Sequence, residues 1–210
     1  RSKTAMMQVL HGLEFVPVYS KGLVLAIGNF DGVHRGHQAL IGKAVETAKA
    51  MGRPAGVMVF EPHPRELFHP EEPHFHLTPL AEKLRIFEGM GLKTAVVLPF
   101  DFNLATLMPD EFVSQILVEK LLISHAVIGY DFFFGKRRTG TPELMRTLGE
   151  KFGFGVTIVA PVAEDGEVFS SSAIRLKLAQ GDVVGAANDL GRNWHVSGKV
   201  VKGAQRGNGL

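Results

Sequence analysis

Leu23-Val24-Leu25-Ala26-Ile27-Gly28-Asn29-Phe30-Asp31-Gly32-Val33-His34-Arg35-Gly36-His37 decides the fold. An apolar run, Leu23–Gly28, stops at a glycine. A short polar turn follows, and two histidines open an amphipathic segment. The pattern predicts a strand, a tight loop and a helix N-terminus. Such a terminus presents free backbone N–H groups and the positive end of the helix dipole, so it attracts anions such as phosphate. Two imidazoles three residues apart add donors for the same oxygens. An isolated His-x-x-His is also compatible with plain loop and cap residues. Zinc is disfavoured, because no acidic or cysteine partner has ligand-like spacing beside it. The strand-to-helix placement favours phosphate.

Further apolar runs predict strands at Ala55–Phe60, Thr94–Pro99, His125–Gly129 and Gly155–Val159. Their continuous apolarity suits a parallel sheet covered on both faces. Helices are predicted between them at Gly36–Met51, Pro79–Met90, Pro109–Lys120 and Thr141–Phe152. Leu40, Ala44, Val45 and Ala48 fall on one face of the first. This alternation implies an α/β fold with a Rossmann-like, doubly wound parallel sheet. The loops after the strands then gather on one edge, where ligands bind in open α/β sheets. Two short helices are expected at Ser172–Gln180 and Asp182–Leu190, and a brief strand at Gly198–Val201.

With 210 residues, 45% hydrophobic and 21% charged, the chain is long enough to bury a core. Its 23 Lys+Arg against 21 Asp+Glu leave a net charge of +2, too balanced for a general nucleic-acid or membrane binder. The absence of cysteine excludes disulfides, thiolate metal sites and cysteine nucleophiles. No apolar stretch reaches transmembrane length, and Arg1–Met7 lacks an apolar signal core, so a cytoplasmic protein is expected.

Three other segments are candidates for the same edge. Phe60-Glu61-Pro62-His63-Pro64-Arg65-Glu66 is a loop stiffened by two prolines. It reads either as a structural turn or as a flap lining substrate. The nearby His63, His69, His74 and His76 have spacing poor for one metal site and are expected to be solvated loop residues. Gly129–Gly140 contains three consecutive phenylalanines and Lys136-Arg137-Arg138. At least one ring is expected in the core, with the rest forming a solvated face or a nucleotide-binding loop. Phe169-Ser170-Ser171-Ser172-Ala173-Ile174-Arg175 is rich in N-cap residues. Capping explains one serine; three serines and an arginine one turn in also make an oxyanion cradle.

These segments, in this order, resemble the bacterial bifunctional riboflavin kinase/FMN adenylyltransferase (FAD synthetase) family, specifically its adenylyltransferase module. The resemblance rests on Gly28–His37, Phe60–Pro64, Glu82–Arg85, Leu98–Phe100, Gly129–Gly140, Ser170–Arg175 and Leu190–Arg192, and covers nearly the whole chain. The serine motif departs slightly: the family often has Thr at position 172 and a basic residue at 173.

The resemblance implies a fold of the HxGH nucleotidyltransferase type and the reaction ATP + FMN → FAD + diphosphate with Mg²⁺. It implies His34, His37 and Arg175 as catalytic residues. ATP is expected against Gly28, Phe30, His34, His37, Asp131, Ser171, Ser172 and Arg175. FMN is expected against Asn29, Asp31, Pro62, Pro64 and Asp131. No residue is assigned to metal, although Asp31 is a weak candidate to help place Mg²⁺. Residues 8–190 are expected to form the transferase domain. Residues 191–210 read as a linker and the opening of a β-rich riboflavin kinase domain whose remainder is missing. Partners are expected to be small molecules, with neither nucleic acid nor membrane, and no oligomeric state is assigned. The competing readings are another HxGH nucleotidyltransferase and a non-catalytic flavin- or nucleotide-binding module.

Overall fold

The computed structural model describes residues 6–72 and 74–203. A short strand, β1 (Gln8–His11), precedes the first apolar run, which becomes β2 (Val24–Ile27). Helix α1 (Arg35–Met51) follows the polar turn, and Gly52 in the left-handed region ends it. Then come β3 (Ala55–Glu61), α2 (Pro64–Phe68), α3 (Leu80–Gly89) and β4 (Thr94–Pro99). A one-turn α4 (Phe102–Thr106) and α5 (Pro109–Glu111) lead into Phe112–Lys120, whose hydrogen bonding is of the wider π type. The second half contains β5 (His125–Gly129), α6 (Pro142–Phe152) and β6 (Gly155–Val159). A two-strand hairpin, β7 (Ala163–Glu164) with β8 (Glu167–Val168), precedes α7 (Ser171–Ala179) and α8 (Val183–Leu190).

Six strands form one all-parallel sheet in the order β1-β4-β3-β2-β5-β6. From β2 the chain winds outward through β3 and β4, then returns to lay β5 and β6 on the other side. The order therefore reverses between β2 and β5, which is where open α/β sheets form their binding crevice. This is the expected doubly wound fold, with β1 as an unforeseen edge strand.

Strand alternation divides the core into two layers. Val24 and Ala26 face Leu40, Ile41, Ala44 and Ala48 of α1, all buried. Leu25 and Ile27 face the opposite layer with Phe112, Leu117 and Met145. Burial on both sides is why these strands read as unbroken apolar runs. Within the Phe132–Phe134 run, Phe134 enters the core and Phe133 is exposed, as one-ring burial anticipated.

The expected strand at Gly198–Val201 does not form. A strand needs a ladder partner to satisfy its backbone, and Val200 is 96% exposed. Earlier in this tail, Arg192 and Trp194 dock onto the main body. Arg192 donates to the carbonyls of Gly32 (2.6 Å) and Val33 (3.1 Å), and Trp194 Nε1 donates to the Leu77 carbonyl (3.0 Å). Residues 204–210, the end of the expected second-domain segment, lie outside the described residues. Among the described residues no helix is long and apolar enough to cross a membrane.

Candidate active site

The turn between β2 and α1 is compact and strained. Phe30 and Val33 both adopt positive φ, 51° and 41°, where a side chain crowds the backbone. Phe30 nevertheless points inward and is 2% exposed. Gly28 makes room for it: a Cβ there would lie 3.0 Å from the Phe30 ring.

His34 is the N-cap of α1. Its Nδ1 accepts a hydrogen bond from the backbone N–H of His37 at 3.3 Å, so a neutral His34 ring carries its proton on Nε2. The two imidazoles stack, with centroids 3.5 Å apart, and Phe30 meets His37 edge-on at 5.3 Å. Burial pushes His34 down to about 4, although the Asp189 and Asp31 carboxylates pull the other way. Burial, with His34 and Lys83 nearby, holds His37 well below the usual imidazole range. Both rings are therefore neutral hydrogen-bonding groups. His37 Nδ1 is buried without a hydrogen-bond partner among the described residues, as is Asn29 Oδ1. Unpaired buried polar atoms are costly and cluster where a ligand completes them.

Asp31 lies beside these histidines, buried, with its carboxylate fully engaged. It accepts from the backbone N–H groups of Leu77 (3.2 Å) and Thr78 (3.1 Å), and Arg175 of α7 closes on Oδ2. Arg175 also donates to the Phe75 carbonyl at 2.9 Å. The serine motif divides its work. Ser170 caps α7 by accepting from Ala173 N at 3.1 Å, Ser171 Oγ donates to the Asp31 carbonyl at 2.8 Å, and Ser172 is exposed. Asp31, Ser171 and Arg175 thus meet directly although they come from opposite ends of the chain.

The proline loop continues the same wall. Pro62 is exposed after a cis Glu61–Pro62 bond, and Pro64 is the first residue of α2. Between them, His63 caps α2 by accepting from Arg65 N at 3.2 Å, while its own N–H donates to Glu66 at 2.8 Å. The expectation that the histidines here are separate solvated residues is corrected for three of four. His63 stacks on His74 at 4.3 Å, and His76 lies 4.8 Å from His74 and 3.0 Å from a Glu66 oxygen. All three are half-buried, whereas His69 is exposed. Burial pushes His63 down to about 4 and also lowers His74. Asp31, His74 and His76 bring their ligand atoms within 4.8 Å of one another, but the Arg175 guanidinium, 3.5 Å from His74 Nε2, shares that space. Folding overrides the proline-broken spacing because the 74–78 segment is drawn back onto Asp31 by its own backbone N–H groups.

Asp131 follows β5 on the other side of the switch point and is exposed. Its carboxylate folds back over Gly129, where a Cβ would come within 2.9 Å of Oδ1 and 3.7 Å of Leu40. Lys136, Arg137 and Arg138 are solvated; Arg138 lies over the exposed Phe133 ring. Lys83, within the Glu82–Arg85 motif but given no site role from the sequence, is 2% exposed and donates from Nζ to the Asn29 carbonyl at 3.2 Å. Its position on the same helical face as Phe87, i and i+4, was the available signal.

Residues 17–173 match the family model described as FAD synthetase. The bifunctional riboflavin kinase/FMN adenylyltransferase of Escherichia coli (strain K12) is 38% identical over 202 residues, covering 96% of this chain and 64% of the relative. Its counterpart from Pseudomonas fluorescens is 39% identical over 197 residues, covering 94% and 63%. That of Bacillus subtilis (strain 168) is 38% identical over 187 residues, covering 88% and 58%. The chain thus spans less than two thirds of the length of these relatives. A crystal structure of a macrolide-efflux protein from Streptococcus pneumoniae shares the fold with a TM-score of 0.82 at 28% identity, over 97% of this chain and 66% of that one.

Proposed function

The chain belongs to the FAD synthetase family, and from that membership we propose that it transfers the adenylyl group of ATP to FMN, giving FAD and diphosphate. An FMN phosphate oxygen attacks the α-phosphorus. The bond from that phosphorus to the bridging oxygen of the β-phosphate breaks, and the electron pair leaves with diphosphate. The nucleophile is already anionic, so no general base is required. Catalysis is alignment plus neutralisation of charge moving toward the leaving group.

The observation that carries this reading is the stacked, neutral His34–His37 pair at the start of α1, beside the sheet's switch point. His34 Nε2–H and the free N–H groups of the first helical turn would donate to triphosphate oxygens, and His37 to the transferring phosphoryl. Neutral rings need not shed water as cations. Ser171, Ser172 and Arg175 would hold the outer phosphates, which requires Arg175 to exchange Asp31 for phosphate. Gly28 and Phe30 shape the turn on which ATP lies. Asn29, Asp31, Pro62 and Pro64 would face FMN, and Asp131 the junction of the two substrates.

Mg²⁺ would supply further neutralisation of the phosphates. It takes oxygen ligands and retains phosphate and water oxygens. The unpartnered Asn29 Oδ1 and the exposed Asp131 carboxylate fit that preference. The Asp31 carboxylate, with three donors already on it, fits it poorly.

The test is a panel of phosphate acceptors offered with ATP or CTP, following diphosphate release. FAD formation from FMN and ATP supports the reading. Preference for a sugar phosphate, nicotinate mononucleotide or phosphopantetheine would replace it with another nucleotidyl transfer. Tight FMN binding without diphosphate release would reduce the protein to a binding module.

A further inference from the structure

Lys83 is a buried cation that the mechanism above does not use. It lies on the inward face of α3, and its ammonium makes one hydrogen bond among the described residues, to the Asn29 carbonyl. No carboxylate lies within 4.0 Å to form an ion pair with it among those residues. The carboxylates of Asp31, Glu61 and Glu66 attract it only from a distance, and burial lowers its proton affinity. An ammonium has three donors, and taking it out of water is expensive unless they are used. One carbonyl leaves most of that cost standing.

Its surroundings are equally incomplete. Asn29, whose backbone oxygen it holds, has an unpartnered buried Oδ1; His37, close enough to feel its charge, has an unpartnered buried Nδ1. A buried cation and two orphaned polar atoms thus converge behind the β2–α1 turn. An arriving oxyanion would answer the ammonium directly.

We propose that Lys83 is a substrate-binding cation of this site, donating to a phosphate oxygen, with the Asn29 carbonyl fixing its direction. This assignment rests on the adenylyl-transfer reading for the identity of the substrate. The phosphate is that of FMN or one of those of ATP, and the two are separable by which Michaelis constant responds.

The experiment compares wild type with Lys83→Met and Lys83→Arg. FAD formation is measured while FMN and ATP are varied separately, and thermal melting is recorded with and without millimolar inorganic diphosphate. Methionine retains the stem and removes the charge. The expected result for Lys83→Met is a loss of roughly 10²-fold or more in kcat/KM. Its unliganded melting temperature should be equal or higher, because an incompletely paired buried charge has gone. Lys83→Arg should recover part of the activity. A rise confined to the KM for FMN assigns the acceptor phosphate; one confined to ATP assigns the triphosphate. Activity within threefold of wild type overturns the proposal. So does a fall in melting temperature that parallels the loss of activity, since Lys83 would then be a structural prop for Asn29. Wild type that makes no FAD would sink the transfer reading, and the diphosphate arm still decides the cation. A melting shift present in wild type and lost in Lys83→Met supports it; an equal shift, or none in either, overturns it.

Discussion

Arg175, in the second turn of α7, closes on the carboxylate of Asp31, 144 residues earlier in the chain. The pair joins the two motifs proposed to bind phosphate, and each partner is engaged by the other. Asp31 is held in addition by the backbone N–H groups of Leu77 and Thr78. The carboxylate organises the site, and the guanidinium is the member able to leave.

The two partners should therefore respond differently to substitution. Arg175→Ala should raise the KM for ATP by tenfold or more and cost about 2 kcal/mol of stability, as one charge-assisted partner of Asp31 is lost. Asp31→Asn puts an amide donor where three donors converge and should cost about 1–3 kcal/mol. Urea denaturation and ATP-dependent initial rates check both. A variant of Arg175 with an unaltered KM for ATP would remove it from the phosphate site.

His37→Ala should lower turnover by roughly 10²–10³-fold with the fold intact, the usual effect of deleting one preorganised donor. The ring stabilises little by hydrogen bonding, since its Nδ1 is unpartnered. Circular dichroism and FAD formation measure the two effects. Near wild-type turnover would end its catalytic assignment.

Stability should fall with pH between about 6.5 and 4. His34 and His63 are pushed down to about 4 by burial, so in that window the unfolded chain binds protons that the native chain does not. Each contribution is fully present above pH 6.5 and is lost as pH drops toward 4, at most about 3 kcal/mol per histidine. His34→Asn keeps an acceptor for the helix cap and removes one titration. Melting curves across this range should have a shallower pH dependence in that variant; an unchanged slope would mean that burial does not hold His34 neutral.

Two helical glycines should respond with opposite sign to alanine. Gly42 in α1 has nothing within 4 Å of a Cβ position, so Gly42→Ala should stabilise by about 0.5–1 kcal/mol. At Gly149 in α6 the Cβ would meet the Phe154 carbonyl oxygen at 2.7 Å and Val156 at 2.8 Å, so alanine should destabilise by about 1–3 kcal/mol. Thermal denaturation of both variants tests the packing of α6 on β6.

The strands from β2 to β6 were legible because a twice-covered parallel strand is an uninterrupted apolar run. β1, Gln-Val-Leu-His, was not, because an edge strand of mixed polarity is held by its backbone pairing with β4. The brief strand expected at Gly198–Val201 failed for the converse reason: apolar content without a ladder partner. Around the site, His34 and His37 were legible because their spacing on one helix is local. The contact of His63 with His74 depends on where a loop folds back, which local spacing does not encode.

Sequence alone determined the alternation of strands and helices, the strand-to-helix turn at Gly28–His37 with its paired histidines, and the family those motifs resemble. These properties reside in short segments, where periodicity, capping and glycine placement act over a few residues. Tertiary structure alone decided that Arg175 meets Asp31, that three loop histidines cluster beside them, and that the ammonium of Lys83 is shut away from water. Those facts depend on contacts between distant segments, and desolvation, which sets the charge state of each group, exists only after the chain has closed around it.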